Sequence, residues 1–288
     1  MMKQKSKKSG RKALKILLVL LGLFVCFLAL NIFYCSSEVV TTNYKITSEK
    51  LNGNLKIALL ADLHLKDYGN NNKKIIDAVE ENSPDIIAVA GDLTILNSDK
   101  TDTAIELLRQ LTEIAPTYYA PGNHEAELLA NENFIRNVTE TGAHFLVNKY
   151  EYFEKNGEKI LIGGIKQYPF FEFDAPDFDN DERHFFDDFL EQEKNSYSIL
   201  ICHYPECFLW KFNEYDIDLM LSGHTHGGLI RLPFIGGLYA PNQGFFPKYD
   251  YGLYQSDTAT MVVTSGLANS NFLPRINNPG EVCIIQVN

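Results

Sequence analysis

Lys56-Ile57-Ala58-Leu59-Leu60-Ala61-Asp62-Leu63-His64 decides how the rest of the chain is read. An apolar run of strand length stops abruptly at a carboxylate and, two residues on, an imidazole. The same design recurs downstream. Residues 85–90 (DIIAVA) run into Gly91-Asp92, and residues 117–120 pass through Pro121 into Gly122-Asn123-His124-Glu125. Residues 196–202 run into His203, and 217–221 into Ser222-Gly223-His224-Thr225-His226. Continuous rather than alternating apolar runs indicate strands buried on both faces, hence covered by helices. Helical patterns with polar faces fill the gaps at 73–81, 103–114, 125–140 and 184–194. Strand, polar loop, helix, repeated, is an α/β arrangement. Ligands in that architecture bind at the carboxyl ends of strands, where all five motifs fall.

Other segments complete the outline. Residues 38–46 and 55–61 form two early strands around a turn region holding Asn52-Gly53, a favoured turn dipeptide. Residues 150–153 and 159–163 form a hairpin around Asn156-Gly157, and 258–264 and 282–287 supply late strands. A length of 288 residues leaves room for one large domain or two small ones.

The charge is unevenly placed. Residues 1–35 hold seven cations and no acid, so residues 36–288 carry a net of −18. A body that acidic repels a polyphosphate backbone, which argues against a nucleic-acid polymer as partner. Five cysteines without a CxxC exclude a disulfide scaffold and a cysteine-built zinc finger. Ala13 to Tyr34 is apolar apart from Lys15 and Asn31. Twenty-two helical residues span about 33 Å, against a hydrocarbon core of roughly 30 Å. A cleaved signal peptide is the rival, but its apolar region is shorter and ends in small residues, which Asn31-Ile32-Phe33-Tyr34-Cys35 lacks. The expected division is therefore a basic cytoplasmic tail (1–12), a retained anchor in the bilayer (13–35) and one domain (36–288). Cations on the N-terminal side place that tail in the cytoplasm and the domain on the extracytoplasmic face.

Five of the seven histidines (64, 124, 203, 224 and 226) sit in the strand-end loops, with Asp62, Asp92 and Asn123 in equivalent positions. Imidazole, carboxylate and carboxamide without thiolate suit Mn, Fe or Zn better than Ca or Mg. Eight candidate groups exceed what one transition metal uses, so two divalent ions are the simpler count.

At this point the sequence resembles the calcineurin-like metallophosphoesterases, whose pattern is DxH, GD, GNH[DE], a lone His and GHxH. The flanking 227–233, the later Tyr-Ala-Pro and Phe-Pro-Lys-Tyr, and Thr264-Ser265-Gly266-Leu267 resemble the family's membrane-anchored, YkuE- and YaeI-type subfamily. The resemblance implies a four-layer α-β-β-α sandwich preceded by one transmembrane helix, and hydrolysis of phosphoester bonds. It implies Asp62, His64 and His226 on one metal, Asn123, His203 and His224 on the other, and Asp92 between them. His124 then faces the leaving group. Two divalent ions against Asp62 and Asp92 leave a local surplus of about +2, which draws in a phosphate despite the acidic body. One departure stands out: many relatives read GDxxD, whereas position 95 is Ile95.

Arg231 is either a bidentate clamp on a substrate phosphate or half of a surface ion pair. The aromatic stretch 239–254 either packs the second sheet or forms a lip beside the site. The anchor and its short tether point to a membrane- or envelope-associated substrate, such as the phosphodiester or pyrophosphate of a UDP-diacylglucosamine-type nucleotide lipid. A general phosphomonoesterase and an inactive metal-binding scaffold are the alternatives.

Overall fold

The apolar runs pair into two six-stranded sheets laid face to face. The computed structural model describes residues 2–166, 180–193, 196–210, 215–268 and 273–288. The first sheet runs in the order β1 (Val39–Ile46), β16 (Gly280–Val287), β2 (Leu55–Leu60), β3 (Ile86–Ala90), β4 (Thr117–Ala120) and β5 (His144–Phe145). From β2 to β5 the strands are parallel. The second runs β14 (Gly252–Gln255), β15 (Thr260–Val263), β9 (Leu219–Ser222), β8 (Tyr197–Cys202), β7 (Glu158–Ile165) and β6 (Lys149–Lys155). Its four inner strands are parallel and its two edges antiparallel.

The two-residue period of a strand explains why these runs are apolar on both faces. Ile57, Leu59 and Ala61 point between the sheets, where they meet Ile199, Leu221 and Val262. Ala58 and Leu60 point outward onto α2 (Lys73–Asn82) and α3 (Asp102–Ile114), against Ile75, Val79, Leu107 and Leu111. Leu161, Leu200 and Met220 face outward from the second sheet onto Phe186 and Phe189 of α5 (Asn180–Glu193). Helices, sheet, sheet, helices are the four layers that the resemblance implied.

Two details depart from the sequence reading. The early strands do not lie side by side, because β16 runs between them, parallel to β1 and antiparallel to β2. Nearly every residue of β16 is buried, whereas Thr41, Asn43 and Lys45 of β1 are exposed, so β16 takes the inner place and β1 the edge. The helical pattern at 125–140 is broken in two, a 3-10 helix (Asn123–Ala130) and α4 (Glu132–Glu140). Asn131 interrupts it, its side chain accepting from the amides of Asn133 and Phe134 as an N-cap. Residue 194, the end of the last helical pattern, lies outside the described residues.

Before the domain stands α1 (Met2–Ser37), whose residues Gly10–Ser37 are long and apolar enough to cross a bilayer. Only Glu38 separates it from β1.

The two sheets approach most closely at their motif-bearing ends. A Cβ on Gly223, just after β9, would lie 2.6 Å from the Ala61 Cβ and 2.8 Å from Asp62 Oδ2, so only glycine fits there. Replacing it with alanine must push the sheets apart. Gly223→Ala is expected to cost about 2–3 kcal/mol, or roughly 5–10 °C in Tm, whereas Gly53→Ala in the early turn should cost little. Thermal unfolding of the two detergent-solubilised chains checks this.

Candidate dinuclear metal centre

Every motif sits where a parallel strand ends. Asp62 and His64 follow β2, Asp92 follows β3, and Asn123 and His124 follow β4. On the second sheet His203 follows β8, and His224 and His226 follow β9. Asp62, His64, Asp92, His224 and His226 all have left-handed backbones, with φ between 47° and 70°. Such conformations are strained for residues with side chains, and they persist where the surroundings over-determine them. Here they turn successive side chains toward one point instead of letting them alternate.

The structure brings the candidates together in overlapping groups. Donor atoms of Asp62, His64 and His226 lie within 4.8 Å of one another, as do those of Asp92, His203 and His224. A third group joins His64, Asp92 and His124. Each of the first two groups draws on both sheets. Three atoms in this cluster are buried with no hydrogen-bond partner: His64 Nε2, His203 Nε2 and Asn123 Oδ1. His203 Nε2 faces Asp92 Oδ2 at 3.2 Å, without the alignment of a hydrogen bond. Buried polar atoms are nearly always satisfied, so orphaned lone pairs converging from neutral donors are what a metal centre requires.

The imidazoles are oriented by what lies behind them. His64 Nδ1 lies 3.2 Å from the Thr94 carbonyl, His203 Nδ1 2.6 Å from that of Ala90, and His226 Nδ1 3.0 Å from that of Ala268. A carbonyl only accepts, so each Nδ1 bears a hydrogen. The neutral His64 and His226 keep the Nε2 lone pair for a metal, whereas Asp92 outweighs burial and raises His203 to about 10, so its Nε2 sheds a proton when it binds one. The Asn242 side-chain amide donates to His224 Nε2 (3.1 Å), so the neutral ring bears its hydrogen on Nδ1, which must be given up if that nitrogen is to bind a metal. His124 is the reverse case. The Leu96 amide donates to its Nδ1 (2.8 Å), so in the neutral ring Nε2 carries the proton. That nitrogen lies 3.8 Å from Asp92 Oδ2. His124 therefore presents a donor to the site where its neighbours present acceptors.

Burial sets the charge states. It lowers His64 to about 4 and His224 to about 3, and takes His226 well below its ordinary value, so these rings are neutral at pH 7. Burial also raises Asp62 to about 7. Asp92 feels the same burial, but His203, His64 and His124 outweigh it and hold its carboxyl below the usual range.

Glu125, in the GNHE motif, joins two of these loops. Its fully buried carboxylate accepts from the amides of Asp92 (2.8 Å), Thr94 (2.9 Å) and Gly122 (2.8 Å), and from the Thr94 hydroxyl. Ile95 stands partly exposed, and the Leu96 amide beside it occupies His124 Nδ1. Arg231 is found in an ion pair with Asp250 (2.7 Å), bonded to the Gly227 carbonyl and stacked 4.6 Å from the Tyr251 ring. Sequence reasoning missed Asn242, Thr94 and Ala268. It also missed Arg275, which is buried and donates to the Ala268 and Ser265 carbonyls, bracing the loop that faces His226. A lone Arg, a lone Asn and two backbone carbonyls carry no motif that would have exposed them.

Residues 55–228 match the family model of the calcineurin-like phosphoesterases. The chain belongs to that family. It is a phosphoric ester hydrolase, and its Asp/His cluster is suited to a dinuclear divalent metal centre. An uncharacterized metallophosphoesterase, YkuE of Bacillus subtilis, is 30% identical over 80% of this chain and 77% of its own. A transmembrane protein with metallophosphoesterase domain from Danio rerio is 30% identical over 81% of this chain and 53% of its own. The phosphodiesterase YaeI of Escherichia coli is 27% identical over 81% and 82% respectively.

The Glu125 clamp yields a test. Glu125→Gln removes the charge that three amides and a hydroxyl converge on, letting the Asp92 and Asn123 loops drift. Metal affinity or turnover should fall about 10–100-fold, while Glu140→Gln on the surface of α4 changes neither. Metal content after dialysis, set beside steady-state rates, reads the difference.

Proposed function

We propose that the protein hydrolyses a phosphodiester or pyrophosphate bond in a lipid-linked substrate at the membrane surface. The observation that carries the hydrolytic reading is the orientation of the imidazoles, with Nε2 turned inward from His64, His203 and His226 and a proton presented by His124. Asp62, His64 and His226 would hold one ion, Asn123, His203 and His224 the second, and Asp92 would serve both. Mn, Fe or Zn fits this donor set best. Two such ions supply the Lewis acidity that makes water a nucleophile at neutral pH. Asp62 and Asp92 would offset only half of the charge of such a pair, and the surplus would favour a substrate phosphate. His124 Nε2–H, aimed at the site by the Leu96 amide, stabilises and protonates the departing oxygen. Arg231, held by Asp250, serves the phosphate only if that pair opens.

The lipid-linked part of the reading rests on the junction between helix and domain. We assign residues 1–12 to a cytoplasmic tail, 13–35 to the anchor and 36–288 to the catalytic domain beyond the membrane, since seven cations precede the span. A single residue, Glu38, joins α1 to the first sheet, so the site cannot travel far from the bilayer.

The full chain in nanodiscs, stripped by chelator and reloaded with Mn, should hydrolyse an aryl phosphodiester only when reloaded. Asp92→Asn should lose both metal and turnover. His124→Ala should keep its metal and lose about 10²–10⁴ in kcat. Equal rates for all three chains would point to a metal-binding scaffold instead of an enzyme. Activity on soluble nucleotides matching that on diester or pyrophosphate lipids in vesicles would remove the lipid-linked part alone.

A further inference from the structure

Four large apolar side chains, Phe234, Ile235, Phe245 and Phe246, stand exposed on two short hairpins that follow His226. The first is β10 (Arg231–Leu232) with β11 (Gly236–Gly237), and the second β12 (Tyr239–Ala240) with β13 (Gly244–Phe245). Phe234 and Phe246 have left-handed backbones, φ 68° and 56°. Bulky residues occupy that region only at a cost in backbone strain. A fold that strains its backbone to hold phenylalanines in water is presenting them to something.

We infer that these hairpins are a second membrane contact, an apolar wedge entering the bilayer interface beside α1 and holding the mouth of the metal centre against the lipid. The inference deepens the proposed lipid-linked substrate and rests on α1 being a retained span. Placement carries it. Asn31, within the apolar stretch of α1, exchanges hydrogen bonds with Asn277 (2.9 and 2.8 Å), and Cys35 Sγ accepts from the Asn278 amide. Asn277 in turn donates to the carbonyl of Arg231, where β10 begins. Phe234 is three residues further, at most about 10 Å along the chain. The hairpin tip therefore lies at the level where the span meets the interface, a zone that favours aromatic rings. The occupant follows from the same geometry. Leu30 and Phe33 of α1 are exposed alongside, and the bilayer that covers them extends over the neighbouring tip.

The wedge is also joined to the chemistry. Asn278 donates through its side chain to the His226 carbonyl (2.7 Å), and Arg231 to that of Gly227 (2.8 Å). Asn242, between β12 and β13, meets His224. Two hydrogen bonds, Cys35 to Asn278 and Asn278 to His226, lead from the membrane helix to a metal-site residue. A phosphoester just outside the headgroup layer thus stands next to the cluster, and a lipid need not leave the bilayer to be hydrolysed.

The test uses the full chain with its single tryptophan removed (Trp210→Phe) and a probe placed by Phe234→Trp or, independently, Phe245→Trp. Each is reconstituted in phosphatidylcholine–phosphatidylglycerol vesicles with or without brominated acyl chains. Bromolipid should quench emission from both probes about twofold or more and shift it to the blue. Lys159→Trp, at the strand end opposite the site, should be unaffected, and Leu30→Trp should mark full quenching. Unquenched emission from both hairpin probes beside a quenched Leu30→Trp would overturn the wedge. The readout does not depend on hydrolysis, so a quenched but inactive enzyme would refute the hydrolytic reading while leaving the wedge standing.

Discussion

Two carboxylates and four imidazoles are packed into the seam between two sheets, and among the described residues two of their nitrogens, with Asn123 Oδ1 beside them, have no hydrogen-bond partner. Burying unpaired polar groups costs free energy, and a buried charge costs more. The fold accepts this cost at one place, where Asp62 is raised toward neutrality and three histidines are kept from charging. A divalent cation relieves those frustrations together, so metal binding and closure of the seam are thermodynamically linked. Neither donor set belongs to one sheet. Asp62 and His64 reach across to His226, and Asp92 to His203 and His224. Sliding one sheet over the other would therefore dismantle both sets at once. The close approach at Gly223 is what lets the two sheets meet there.

The same seam explains why the ligands point correctly before any ion arrives. Backbone carbonyls of Thr94, Ala90 and Ala268 hold three rings by Nδ1. Carbonyls are fixed by the sheets and their adjoining loops, so this orientation needs no further titratable group. His124 is turned the other way by a backbone amide, although it stands beside Asn123 and its ring lies 4.5 Å from that of His64. An acceptor behind His64, His203 and His226 and a donor behind His124 give the first three an inward Nε2 that can bind a metal and the last an inward N–H.

The strands, and the strand-end Asp and His residues that the fold gathers into one cluster, were legible because buried parallel strands leave continuous apolar runs and their polar ends leave abrupt breaks. What escaped was whatever depends on groups far apart in sequence or on the backbone itself. The insertion of β16 beside β2 joins residues more than two hundred positions apart, and a turn dipeptide at Asn52-Gly53 says nothing of it. The break at Asn131 follows from its side chain capping the amides of Asn133 and Phe134, a local bond that helical periodicity does not record. Arg231 left two readings open, and its partner Asp250 is nineteen residues away. Carbonyls such as that of Ala268 are chemically identical at every position, so no residue type could have singled one out.

The charge of the domain bears on how it can lie on a membrane. With a net of −18 over residues 36–288, it is repelled by anionic headgroups over roughly a Debye length, about 8–10 Å. One helix joined through Glu38 would leave the domain free to tip away under that repulsion. Lys74, which binds the Ser37 carbonyl and Glu38 at the end of α1, offers one local cation against it. A broad basic patch would hold the face down, but it would also compete with the metal centre for phosphate. An uncharged contact holds the face down without that competition. Exposed phenylalanines on hairpins tied to Asn277 and to His224 add a second fixed point without altering the electrostatics of the site. A helix end and an apolar tip define a line along the bilayer surface, and the Asp/His cluster is hydrogen-bonded to both.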